Sequence, residues 1–165
     1  MLRLLSVRQI LLAISLACVG GLAFGLYLQN MKSVLPCPMC IVQRYAMLSV
    51  GILAGLGALS ARRGAQIAGS LLVMVAAGFG AFVAARQSWL QWYPPEVASC
   101  GRDFYGMIAN FPLERVIPMV FRGSGDCSRV DWTFLGGSLA NWSFVSFVAF
   151  ALISIGLIAR SLKAR

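Results

Sequence analysis

The stretch Ile67-Ala68-Gly69-Ser70-Leu71-Leu72-Val73-Met74-Val75-Ala76-Ala77-Gly78-Phe79-Gly80-Ala81-Phe82-Val83-Ala84-Ala85 decides the architecture. Its nineteen residues carry no charge. At a helical rise of ~1.5 Å per residue such a run reaches about 28 Å, close to the thickness of a bilayer's hydrocarbon layer. Gly69, Gly78 and Gly80 recur within it, and small residues let helix backbones approach closely where van der Waals packing drives association in lipid. Working outward, residues 41–61 are apolar apart from Gln43 and Arg44 near the start, with Gly51, Gly55 and Gly57 inside. Residues 10–28 form another uncharged run of nineteen, and residues 142–159 a fourth apolar run. The pattern predicts an all-α membrane protein, a four-transmembrane-helix bundle in a single domain over residues 1–165. Its two cysteine-bearing segments are then about 29–40 and 86–141.

Composition agrees. Hydrophobic residues make up 59% of the chain and charged residues 12%, far from the balance of a soluble domain. The net charge of +9 raises the question of nucleic acid, but its distribution excludes that partner. All five acids (Glu96, Asp103, Glu114, Asp126, Asp131) fall in one segment, and basic residues flank the apolar runs. That is the signature of membrane topology. Arg3 and Arg8 precede the first run, Arg62 and Arg63 separate the second from the third, and Arg160, Lys163 and Arg165 follow the fourth. Both termini are therefore expected on the cytoplasmic side and both cysteine segments outside. Ala23-Phe24-Gly25 has the small-x-small shape of a signal-peptide cleavage site, but the apolar run continues past it, which disfavours cleavage.

The longer outer segment is not a plain linker. Trp89, Trp92, Tyr93, Trp132 and Trp142 flank the third and fourth runs, where aromatic rings favour the membrane interface. Leu113, Val116, Ile117, Val120 and Phe121 fall at helical spacing. They predict a short amphipathic helix lying on the membrane surface, shortened or kinked by Pro118. It would serve as a cover on the bundle, or as a float limiting how far nearby cysteines travel.

The chain has no histidine and five cysteines. The first fact removes histidine-ligated haem, histidine-containing zinc sites and every histidine-based nucleophile arrangement. The second makes thiol chemistry the first suspect. Cys37-Pro38-Met39-Cys40 is a C-x-x-C motif at the mouth of the second run. Pro38 suits the first position of a helix, and thiols there feel the positive end of its dipole, which favours thiolate. Arg44 follows Cys40 by four residues, so Cys37, Cys40 and Arg44 share a face on a continuous helix. Arg44 alone reads as a snorkelling anchor; beside two cysteines it reads as a charge placed for chemistry. Cys100 and Cys127 form a second pair. As a staple across their loop they would contribute about 3 kcal/mol, and their spacing does not suit a four-cysteine zinc site. No metal is expected. Cys18, in the middle of the first run, reads as packing.

Taken together, these residues resemble the DsbB family of bacterial disulfide bond formation proteins. The resemblance rests on Cys37-Pro38-Met39-Cys40 with Arg44, then Cys100, then Gly125-Asp126-Cys127, set between four spans. Gln91-Trp92-Tyr93-Pro94, Phe111-Pro112-Leu113 and Trp132-Thr133-Phe134-Leu135-Gly136 extend it across nearly the whole chain. It implies a monomeric enzyme of the bacterial inner membrane with periplasmic cysteine loops. That enzyme reoxidises a DsbA-like thioredoxin-fold oxidase and passes the electrons to ubiquinone or menaquinone, supporting disulfide formation in exported proteins. It implies that Cys100 is attacked by the partner's thiol, that Cys127 then exchanges with Cys37, and that Cys40 becomes a thiolate beside the quinone with Arg44 as its counter-charge. The sequence departs from the family at two places: Gln87 stands where a histidine is frequent, and Gln43 where an acid is frequent. Gln87 and Gln91 are the further quinone-pocket candidates. Two other readings compete. A vitamin K epoxide reductase-like enzyme carries its quinone-proximal C-x-x-C late in the chain, which the order here disfavours. A membrane scaffold with inert, stapled loops would show no thiol exchange.

Overall fold

The computed structural model describes residues 6–32, 37–94, 130 and 132–163. Four helices account for most of them: α1 (Val7–Lys32), α2 (Pro38–Leu59), α3 (Arg63–Trp92) and α4 (Leu139–Lys163). A two-stranded hairpin, β1 (Thr133–Phe134) and β2 (Gly137–Ser138), leads directly into α4. All four helices are long and apolar enough to cross a membrane, so the four-helix membrane bundle is present. The predicted amphipathic helix over Leu113 to Phe121 lies outside the described residues.

Helix ends follow local chemistry that hydropathy does not report. α1 opens with a capping box: Gln9 N–H donates to Ser6 Oγ at 3.3 Å, and Ser6 N–H donates to Gln9 Oε1 at 2.8 Å. α2 stops at Leu59, with Ser60 already extended at φ −81 and ψ 131, two residues before the apolar run ends. α3 has 30 residues, or about 45 Å, more than a ~30 Å hydrocarbon layer needs. It therefore continues through Arg86 to Trp92, where the sequence reading begins an outer segment. Loss of hydropathy marks the edge of lipid, whereas the backbone stays helical until a residue forbids it. Pro94 does so, because it disfavours helical geometry at the residue before it; Tyr93 accordingly closes the helix, donating its N–H to Trp89 O at 2.9 Å.

Two arginines tie the opposite end together. Arg8 Nε donates to Ala58 O at 3.0 Å, near the carboxyl end of α2, and Arg63 donates to Ser161 O near that of α4. Cations are favoured at helix carboxyl ends, so residues counted above for topology also close helix carbonyls. Nearly all helix packing is between neighbours in sequence: α1 on α2, α2 on α3, α3 on α4. The buried seam runs through Leu11, Ile14, Cys18, Val50, Ala54, Val73, Ala77 and Phe147. Outward-facing residues are large and apolar, among them Leu16 (63% exposed), Phe82 (62%) and Leu152 (63%). In water such a surface would aggregate; in lipid it is the solvated side.

Two glycine sites show why small residues recur. A Cβ on Gly69 would come within 3.1 Å of Gly57 Cα, so α2 and α3 touch backbone to backbone there. A Cβ on Gly80 would lie 2.5 Å from the Phe147 ring, which is fully buried. Gly80→Ala is therefore expected to destabilise the α3–α4 contact by ~1–3 kcal/mol, read as earlier loss of helical signal on heating in detergent.

Candidate active site

The C-x-x-C motif sits where α2 begins, and its first cysteine builds the helix start. Cys37 is the N-cap, with φ −68 and ψ 160, and its sulfur accepts the Cys40 N–H at 3.3 Å. Pro38 occupies the first turn, where its missing N–H costs nothing. The Ile41 N–H donates to Cys37 O at 3.1 Å. The two sulfurs lie 2.9 Å apart, at the positive end of the α2 dipole, which favours thiolate. Cys37 is buried at 5% exposure, whereas Cys40 is half-buried. The two residues thus differ in exposure.

Gln87 of α3 reaches both of them. Its Nε2 donates to Cys40 Sγ at 3.2 Å and to Cys37 Sγ at 3.5 Å, and its Oε1 lies 3.7 Å from Cys40 Sγ. Gln43 Nε2 donates to that same Oε1 at 2.6 Å. Both glutamines are buried, at 4% and 6% exposure. The sequence reading treated Gln43 only as a departure from the family. It follows Cys40 by three residues on the same helix, so the spacing argument used for Arg44 would have pointed to it as well.

The other candidates are distributed around this centre. Arg44 is half-buried, and its Nη1 donates to Gln29 Oε1 of α1 at 2.6 Å, fixing the guanidinium between α1 and α2 one turn below Cys40. Gln91, one turn beyond Gln87, accepts from Ser138 Oγ at 2.5 Å. Ser138 in turn accepts the Asn141 N–H at 3.3 Å as the N-cap of α4, so Gln91 links the outer end of α3 to the start of α4. Cys100 and Cys127 lie outside the described residues. Cys18 is buried against Gly51 in the α1–α2 seam.

The hairpin completes this end and was not foreseen. Thr133 pairs with Ser138, and Phe134 with Gly137. The connecting Leu135 and Gly136 both have positive φ, 51 and 79, as a two-residue turn of the hairpin type requires. Trp142 Nε1 donates to Phe134 O at 2.9 Å, and Trp132 meets Phe24 edge-on at 5.7 Å. The hairpin is thereby fastened to α4 and α1.

Comparison with known proteins assigns the family. A family model described as Disulfide bond formation protein DsbB matches residues 7–157. A Disulfide bond formation protein B of Acidovorax sp. (strain JS42) is 64% identical over 153 residues, covering 93% of this chain and 88% of the relative. One of Polaromonas sp. (strain JS666 / ATCC BAA-500) is 63% identical over 158 residues, covering 96% and 94%. One of Azoarcus sp. (strain BH72) is 50% identical over 153 residues, covering 92% of each. With that match running from the start of α1 well into α4, the chain belongs to the DsbB family of disulfide bond formation proteins.

Proposed function

We propose that this protein reoxidises a periplasmic DsbA-like dithiol oxidase and delivers the electrons to membrane quinone. The observation that carries the reading is the Cys37–Cys40 pair, set at the mouth of a membrane-spanning helix with both sulfurs within reach of Gln87. Basic residues at the Arg8–Arg63 end support a topology with both termini cytoplasmic and the cysteine end periplasmic.

The chain's own residues act in sequence. A thiolate of the reduced partner attacks Cys100, breaking Cys100–Cys127 and forming a mixed disulfide. The partner's second thiol displaces Cys100, so the partner leaves oxidised. Cys127 attacks Cys37, and the Cys37–Cys40 bond breaks with its electron pair on Cys40. Cys100 then displaces Cys127 from Cys37, which restores the loop disulfide and leaves Cys37 and Cys40 reduced. Two electrons have moved from partner to the α2 mouth. Disulfide exchange of this kind needs a thiolate attacker and a leaving sulfur that tolerates charge. The start of α2 and the Gln87 amide favour that charge on Cys40.

Energetics explain why the relay cannot end on thiols. DsbA is known as a strong oxidant near about −120 mV, and a thiol couple 60 mV lower would face an uphill step of about 2.8 kcal/mol. When bound, a membrane quinone supplies the stronger two-electron acceptor. The residues at this end suit its oxygens. Arg44 offers a fixed cation one turn below Cys40, and Ser88 Oγ is buried with no partner among the described residues. Detergent-purified protein is expected to reduce added ubiquinone or menaquinone only when given a reduced DsbA-like protein. Quinone reduction that is absent, or independent of the dithiol, would sink this function.

A further inference from the structure

We infer that Gln43 and Gln87 form a neutral amide clamp that selects the charged state of the Cys40 sulfur, an inference that rests on the relay proposed above. In that relay Cys40 is the leaving group and must hold a negative charge at the membrane edge. An uncompensated charge there is costly, and hydrogen bonds to the charged form offset that cost. Gln87 Nε2 stands closer to Cys40 Sγ (3.2 Å) than to Cys37 Sγ (3.5 Å), so its donor favours charge on the sulfur that must leave.

Gln43 decides which end of the Gln87 amide meets the sulfurs. Its Nε2 donates to Gln87 Oε1 at 2.6 Å, far closer than the Cys40 thiol that also reaches this oxygen at 3.7 Å, which favours the amide hydrogens for sulfur. Both amides are nearly buried, so bulk water is a poor substitute for either bond. Gln87 touches the reacting sulfur; Gln43 is a positioning residue that acts through it. The titratable and charged groups on the elements packed at this end, among the described residues, are Cys37, Arg44 and Tyr45 on α2, Arg86 on α3, Tyr93 at its close and Tyr27 on α1. No carboxylate is among them. An amide does not titrate, so this donor keeps its strength at any pH, whereas a histidine at the same place would change charge near pH ~6.5.

The test is the alkylation rate of Cys40 in the full-length, reduced, detergent-purified protein, followed against pH by peptide mass. Gln87→Met keeps the volume and removes the donor. It is expected to raise the thiol titration midpoint by about one pH unit, slowing alkylation roughly tenfold below the midpoint. Gln43→Leu frees the amide to turn and is expected to slow alkylation about threefold. Gln87→His restores an N–H donor and is expected to restore the rate at low pH while adding a second titration near pH ~6.5. A folded Gln87→Met variant with an unmoved midpoint would overturn the clamp. Should that variant not fold, an unmoved midpoint in Gln43→Leu together with no second titration in Gln87→His would do the same. The relay stands apart from this result. Lost dithiol-driven quinone reduction in the parent protein would remove the relay and leave the titration intact, and a flat titration with normal turnover would remove only the clamp.

Discussion

Cys40→Ser is expected to cut dithiol-driven quinone reduction by at least about a thousandfold, the scale seen when a covalent nucleophile is removed from an enzyme. A serine oxygen cannot join a disulfide, so Cys37 would have no partner with which to close the α2 pair. Fold is expected to survive. The cap on α2 runs from the residue 40 backbone N–H to Cys37 Sγ, and a serine retains that N–H. Residue 40 is half-buried rather than fully packed, so the smaller side chain leaves little cavity. Circular dichroism of the variant should therefore match the parent while turnover vanishes. Full turnover with serine at 40 would mean that electrons leave by another route.

The sequence carried the bundle but not its edges. Runs such as Ile10 to Leu28 and Ile67 to Ala85 announce spans because lipid rewards their burial, and a helix was the only open backbone choice there. Hydropathy falls silent at Arg86, yet α3 continues to Trp92. That extension places Gln87 and Gln91 on a rigid helix instead of a loop. Ser6 with Gln9, and Pro94 after Tyr93, were readable end signals that apolar counting passes over. The hairpin was harder. Leucine at φ 51 is an unfavoured occupant of a tight turn, so Leu135-Gly136 does not stand out as Asn-Gly would.

The site divides in the same way. Cys37, Cys40 and Arg44 share a helix face by spacing alone, and α2 is continuous through them. The partners they meet are matters of packing. Gln87 lies 44 residues from Gln43, and Gln29 lies on a different helix from Arg44. No local pattern joins such pairs; helix rotation within the bundle does. Gln91 was grouped with the quinone candidates by its place at the outer end of α3. It bonds Ser138 instead of either sulfur, through an N-cap that became visible only once α4 was seen to start at Leu139.

A second large effect is expected when the outer pair is broken. Cys127→Ser leaves Cys100 without its disulfide partner, so that loop cannot take electrons from a reduced thiol and hand them on. With no Cys100–Cys127 disulfide to open, a reduced DsbA-like protein finds no electron acceptor in the outer loop, and no Cys127 thiolate forms to attack Cys37. Turnover should fall at least about a thousandfold, because the charge-stabilised step at Cys40 is never reached. This variant separates a relay from two independent disulfides. A stapled scaffold would have no dithiol-driven turnover to lose.

The decisive measurement is a disulfide map of that variant, made by acid quench and peptide mass after mixing the quinone-free protein with the reduced DsbA-like protein in detergent. Cys100 is expected to stay a free thiol and Cys37–Cys40 to stay oxidised, whereas the same partner reduces Cys37–Cys40 in the parent protein. Reduction of Cys37–Cys40 by the partner while Cys100 remains unmodified would contradict the relay, because electrons would then enter at the α2 mouth without passing through the outer loop.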